Sequence, residues 1–431
     1  MIELYRSIKK SRLPWLLIYA GLTIELLIVI IDKSNYTNPV EGQLFRITFL
    51  LFALKLVLTD YSIREWCVIV VLEAIAFTSY QTTGANDLIR FVTFVAACKS
   101  IPFKQMLKYT FYVTLVGCVA IILLAVTGIY GEMTSTQIFG HIGRDELDAA
   151  RYWTGDPVYE TRITLGMGHP NAFSCMFFML VALGIYIWFE RMKWYGYLFI
   201  MLLNIGVYAL TDSRTGLLIT SLFLTGACAV AYSELLREKK LIYLCGLLVF
   251  ALCIGFSVDA AVCAQRVRVL QWNIYFLGQH VDNEHIEILS RIDASLTGRI
   301  VSLTDSERND GMIETWSAFS CPENMDYYFD MGWVKLFYRY GIVPGSLCLI
   351  ACLILLWRLY KYRDACGLIL FTAFAVYTVI EAHLISVYLG RNYLLIMMGY
   401  YLTLNFFPEN SILKKHKTVL SIIKEKPGEM Q

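Results

Sequence analysis

The sequence predicts an all-α polytopic membrane protein of about twelve transmembrane helices, a single integral membrane domain over residues 1–431. Three observations point that way. The chain is 57% hydrophobic and only 17% charged, with a mean hydropathy of +0.56. Soluble domains run near 45–50% apolar and about 25% charged. Apolar runs close to the roughly 20 residues needed to cross a bilayer recur along the whole chain. Lysine and arginine, finally, gather in alternate loops, as the positive-inside bias requires.

The spans are expected at 14–31, 44–59, 64–81, 87–103, 108–130, 170–189, 194–211, 214–233, 241–258, 332–357, 365–385 and 388–407. The opening MIELYRSIKKSR precedes a full apolar run with no small-residue cleavage site, so the first run reads as a retained span rather than a signal peptide. Arg90 interrupts the fourth run and Pro102 ends it. It is kept because dropping it would invert every later loop. With the N-terminus inside, the inner loops hold Arg64, Lys99 with Lys104, Arg191 with Lys193, Arg237 with Lys239 and Lys240, and Arg358 with Lys361 and Arg363. The tail adds Lys414, Lys415 and Lys417. The short outer loops carry almost none beyond Lys33, so both termini are expected in the cytoplasm.

Two long loops, 131–169 and 259–331, then fall outside, where short helices are expected. In "DNEHIEILSRIDASLTGR", Ile286, Leu289, Ile292 and Leu296 have near-helical spacing, with Asp282 or Asn283 as cap. "SERNDGMIETWSAF" also reads helical. Such helices suit the membrane surface over a site. No internal repeat suggests transporter symmetry.

The net charge of +2, without a basic arm or nucleic-acid motif, gives no reason to expect nucleic acid. Of twelve cysteines, Cys118, Cys228, Cys245, Cys348 and Cys352 lie in apolar runs as small hydrophobes. Cys263 and Cys321 lie in polar surroundings and could form a disulfide if that loop is extracellular. No CxxC pair exists, so no zinc site is expected.

"RITLGMGHPNAF", residues 162–173, places Arg162, two glycines and a His-Pro-Asn triplet at the lip of an apolar run. Proline favours the first helical position, so a helix is expected to start at Pro170 with His169 at its cap and Asn171 in its first turn. Its N-terminus would face outward as an anion site. Gly166 and Gly168 would let backbone approach a ligand, and Arg162 adds a forked cation suited to phosphate. "TDSRTGLL" puts Arg214 at another outward helix start, and "SLTGRIVSL" puts Arg299 in the large outer loop. Three outer arginines beside Gly, Ser or Thr suggest one anionic ligand, against the alternative that each snorkels or pairs with a loop carboxylate. "VIEAHLISVYLGRN" adds Glu381, His383 and Arg391 at the outer rim, where ionisable groups at membrane depth suggest function. Glu25, Lys55 and Glu73 lie inside spans and read as structural, with Lys55 snorkelling to the inner face.

Arg162 followed by "GHPN", then "SRTG", "TGR" and "DMGWVKLFYRYGIVPG", together resemble the bacterial O-antigen polymerase and O-antigen ligase superfamily. The resemblance covers most of the chain after residue 130; the first five spans match in hydropathy alone. It implies a GT-C-like membrane glycosyltransferase in the bacterial cytoplasmic membrane, with an outward site, no cofactor and no metal. Its substrates would be undecaprenyl-diphosphate-linked oligosaccharides among membrane lipids, and a chain-length regulator or flippase could accompany it. Arg162, Arg214, Arg299 and Asn171 would hold the diphosphate. His169, Asp330 and Glu381 are the alternative catalytic bases, and His169 could instead hydrogen-bond a phosphate. Where ligases of the superfamily often carry a histidine, "FDMGW" has Asp330, which favours a polymerase of exopolysaccharide or capsule repeats. A ligase with another acceptor, or a lipid-linked oligosaccharide flippase, are the alternatives.

Overall fold

The computed structural model describes residues 12–34, 38–139, 158–238, 240–277, 283–304, 311–321, 329–382, 386, 388–391 and 393–403. The order is α1 (Leu13–Asp32), α2 (Glu41–Val57), α3 (Ile63–Thr83), α4 (Asp87–Ala97), α5 (Phe103–Val126), β1 (Thr134–Phe139), β2 (Val158–Ile163), α6 (Pro170–Trp188), α7 (Trp194–Thr211), α8 (Arg214–Tyr232), α9 (Glu234–Glu238), α10 (Lys240–Leu277), α11 (Glu284–Ser295), α12 (Gly332–Tyr340), α13 (Ile342–Tyr362), α14 (Ala365–Ile380) and α15 (Tyr393–Thr403).

Among the described residues, seven helical segments are long and apolar enough to cross a membrane: α1, α5, Pro170–Arg191, α7, α8, Lys240–Ile274 and α13. Their outward faces are greasy. Leu16, Val116, Leu202, Leu218 and Leu252 are all more than half exposed, the reverse of a soluble surface. The chain is a helical membrane protein by these features. Three of the five remaining expected spans fall short in helix length. α4 has 11 residues, about 16 Å of helix, half a bilayer core. α2 has 17 residues, and α14 has 16.

The helix boundaries follow their sequences. Ser62 accepts from the Glu65 N–H at 3.3 Å, while its own N–H donates to Glu65 Oε2 at 2.5 Å; this capping box starts α3. Inside the bundle, the buried Glu25 takes Arg90 Nη2 at 2.6 Å, Thr48 Oγ1 at 2.6 Å and the Leu389 N–H at 3.1 Å. One carboxylate thus ties α1 to α2, α4 and the turn before α15. Glu73 accepts from Thr93 at 2.6 Å, the structural role expected of it. Lys55 does not snorkel: it is buried and donates to the Lys99 carbonyl at 2.7 Å, and Lys99 pairs with Glu65.

The outer loops depart from expectation. Where described, the 131–169 loop holds a two-stranded antiparallel ribbon, Thr134 opposite Ile163 through Phe139 opposite Val158, and residues 140–157 lie outside the described residues. Alternating Thr and β-branched residues favour this extended pairing. The span expected to stop at 258 continues as α10 for 38 residues, about 57 Å, nearly twice a bilayer core. Its far half packs a second apolar core: Ala260, Val267 and Leu270 meet Ile286 and Leu289 of α11 and Tyr338 of α12. Asn283 caps α11, accepting from the Ile286 N–H at 3.3 Å; the alternative cap Asp282 lies outside the described residues. "SERNDGMIETWSAF" forms only the short 3-10 turn Ile313–Thr315 where described, with 305–310 outside. The run expected as one span from 332 breaks at Gly341, whose φ of +92° a side chain rarely adopts. No disulfide joins Cys263 to Cys321; the Cys263 thiol turns to Asp259 instead.

Candidate functional site

The stretch 162–173 is built from the ribbon inward. Arg162 faces Ser135 in the β1–β2 register. Leu165 and Gly166 then take φ of +51° and +83°, turning the chain back on itself. A Cβ on Gly166 would lie 2.8 Å from Ala125 Cβ, so this glycine lets the turn pack on α5. That corrects the expected ligand-approach role. The Gly168 N–H is likewise committed, donating to the Lys33 carbonyl at 2.7 Å. The expected helix start is confirmed: Pro170 opens α6 and His169 caps it, with the Asn171 N–H donating to His169 Nδ1 at 3.0 Å.

Beside it, Ser213 caps α8, and Arg214 is its first residue. Gly216 packs so closely on α6 that a Cβ there would lie 2.6 Å from Ser174 Cβ. The positive ends of α6 and α8 therefore open side by side. Asp212, left-handed at φ +49°, ends α7 and places Oδ2 4.0 Å from Arg162 Nη2.

Arg299 arrives from the second core. Thr297 and Gly298 are both left-handed, and the fully buried Asp293 holds the turn: its Oδ1 accepts the Ile300 N–H at 2.6 Å, and its Oδ2 accepts Gln271 Nε2 at 3.0 Å. Gly332 brings the Asp330 segment against the end of α14, where a Cβ would meet the Thr378 and Glu381 carbonyl oxygens at 2.7 and 2.8 Å. Trp333 Nε1 fixes this contact by donating to the Ala375 carbonyl at 2.9 Å.

These pieces converge. Arg299 pairs with Asp330 through Nη1 and with Glu381 Oε1 through Nη2 at 3.0 Å. Asn171 Nδ2 donates to the same Glu381 oxygen at 3.2 Å. So the starts of α6 and the end of α14 meet the Arg299 turn and the Asp330 segment. Partial removal of water from the His169 ring, then the guanidiniums of Arg162 and Arg299 and the ammonium of Lys33, push the His169 pKa down to about 4. The ring is therefore neutral at pH 7. With Nδ1 accepting from the Asn171 N–H, its proton belongs on Nε2, which leaves the imidazole one hydrogen-bond donor.

Six of the seven residues singled out in the sequence thus share one locus. Arg214 stands next to it, exposed at the α8 start, and makes no ion pair with the others among the described residues. His383 and the Arg391 side chain lie outside the described residues. Sequence reading missed two groups, Lys33 and Asp212. Lys33 had a signal: it is the one lysine noted in a short outer loop. Asp212 had none, because its partner Arg162 is 50 positions away (212 − 162). Comparison with protein-family models, curated proteins and solved structures finds no match for this chain.

Proposed function

We propose that the chain is a membrane glycosyltransferase that joins undecaprenyl-diphosphate-linked oligosaccharides on the outer face of the bacterial cytoplasmic membrane. The observation that supports it most is the convergence of Arg162, Arg299, Lys33 and neutral His169 on one rim, among the carboxylates of Asp330, Glu381, Asp212 and Asp32. In this reading the shorter helices and the seven long ones together make up the twelve-span, GT-C-like layout, with both termini inside.

The reaction follows from where charge develops. The acceptor sugar hydroxyl attacks the anomeric carbon of a lipid-linked glycan. The carbon–oxygen bond to the diphosphate breaks, and its electron pair leaves with the diphosphate. Arg162, Arg214 and Lys33, with the positive end of α6, stabilise that growing negative charge. His169 Nε2–H and Asn171 hydrogen-bond the phosphates. The hydroxyl proton goes to a carboxylate. Asp330, with its side chain 29% exposed against 12% for Glu381, is the more accessible base. Arg299 holds both acids in place. No step requires a metal.

The test is reconstitution in liposomes with lipid-diphosphate-linked repeat units, product length being resolved on a gel. A ladder that Arg162→Ala and Asp330→Asn abolish is expected. Intact substrate that has merely crossed the bilayer would overturn the enzyme in favour of a flippase. A single transfer to a foreign acceptor without a ladder would identify a ligase.

A further inference from the structure

Asp259 and Cys263 sit four residues apart on the long α10, and therefore on one face of it. α11 folds back along that helix and brings His285, in its first turn, onto the same face. His285 Nε2 lies 2.9 Å from Asp259 Oδ2, and the Cys263 thiol donates to Asp259 Oδ1 at 3.7 Å. One ligand atom from each residue lies within 4.8 Å of the other two. We propose that Asp259, Cys263 and His285 bind a zinc ion that clamps α11 to α10.

The donor set selects the metal. Thiolate, imidazole and carboxylate are all zinc ligands, whereas calcium and magnesium want oxygen alone. Zinc bonds of about 2.0–2.3 Å at tetrahedral angles set ligand atoms roughly 3.3–3.7 Å apart. The present spacings bracket that range, so side-chain shifts of roughly half an ångström close the site around an ion. Binding releases the Cys263 thiol proton to solvent, and water takes the fourth position. The scaffold is firm: Ala260, Ala261 and Ala264 are fully buried beneath the ligands, and Ile286 and Leu289 anchor α11. The entrance is open, since the side chains of His285 and Asp259 are 55% and 38% exposed.

The clamp lies on the arm that carries Arg299, because α11 ends four residues before that arginine. The ion bridges two helices away from the rim and takes no part in the transfer, so it stands whether or not the glycosyltransferase reading holds. The missing CxxC pair hid it in the sequence: its ligands come from two helices.

The test uses the full chain purified in detergent, stripped with chelator and titrated with cobalt and then zinc. One equivalent of cobalt should produce a thiolate-to-cobalt charge-transfer band that zinc displaces. Cys263→Ser should remove the band, and His285→Gln should weaken affinity by at least about 100-fold, the most that losing an outer-shell partner alone costs. The exposed Cys67 and Cys245 are controls, and their double Ser variant should keep the band. In the unaltered chain, zinc should protect the exposed His285 ring from ethoxycarbonylation by diethyl pyrocarbonate, read by mass spectrometry, so the outcome does not depend on a variant folding. No band in the unaltered chain, a band that survives Cys263→Ser, or ethoxycarbonylation of His285 indifferent to zinc would overturn the site.

Discussion

Replacing Asp293 should release the Arg299 turn while leaving the membrane bundle intact. The carboxylate is fully buried and takes the Ile300 N–H on one oxygen and Gln271 Nε2 on the other. Hydrogen bonds to a charged acceptor are each worth about 1.5–3 kcal/mol. Asp293→Ala removes two and leaves both donors buried, a loss of about 3–6 kcal/mol in the local stability of this unit. Asp293→Asn should be far milder. Its carbonyl still serves Ile300, and its amide would face Gln271, whose Oε1 is buried without a hydrogen-bond partner. A flip of the Gln271 amide turns that oxygen to the new donor, limiting the loss to about 1 kcal/mol. Hydrogen exchange by mass spectrometry over residues 283–304 measures the difference. Protection should fall by roughly two to four orders of magnitude in the Ala variant and by about tenfold or less in the Asn variant. Equal effects of the two substitutions, or none, would refute the reasoning.

Arg90→Ala strands the fully buried Glu25 and should cost about 3–5 kcal/mol, seen as a lower melting temperature in detergent. The double substitution Glu25→Gln with Arg90→Met should recover most of it. Gly332→Ala puts a Cβ against two backbone carbonyls that cannot rotate away. It should cost about 1–3 kcal/mol and shift the fluorescence of Trp333 as its bond to Ala375 breaks. His169 has a folded pKa of about 4, against roughly 6.5 unfolded. Between those values only the unfolded chain takes the proton. The stability His169 confers is therefore complete above about pH 6.5 and declines as pH falls toward 4. His169→Asn, which can still cap α6, should lack that decline in a melting series across pH.

How much was legible in the sequence depended on how local the cause was. Pro170 and His169 fix the α6 start within a few residues, and Asn283 fixes α11, so those boundaries were readable. The continuation of α10 was not, because Ala260, Val267 and Leu270, scattered among polar residues after 258, face a second core that only α11 and α12 complete. Gly166 signalled close approach correctly, but its partner is α5 rather than a ligand. Arg162, His169 and Arg299 were identifiable as outer polar residues at helix or turn boundaries. Their pairing with Asp330, Glu381 and Asp212 is long-range and left no spacing to read. The same holds for Asp259 with His285.

The central claim is that this rim holds a lipid diphosphate. The most direct measurement is binding of undecaprenyl diphosphate, against neutral undecaprenol, to the chain in nanodiscs. The diphosphate should bind in preference, and Arg162→Ala should weaken it by roughly 10–100-fold, the loss of one charge-assisted hydrogen-bonding partner, while leaving undecaprenol unchanged. Equal affinity for the two lipids, or diphosphate binding indifferent to Arg162, would contradict the account.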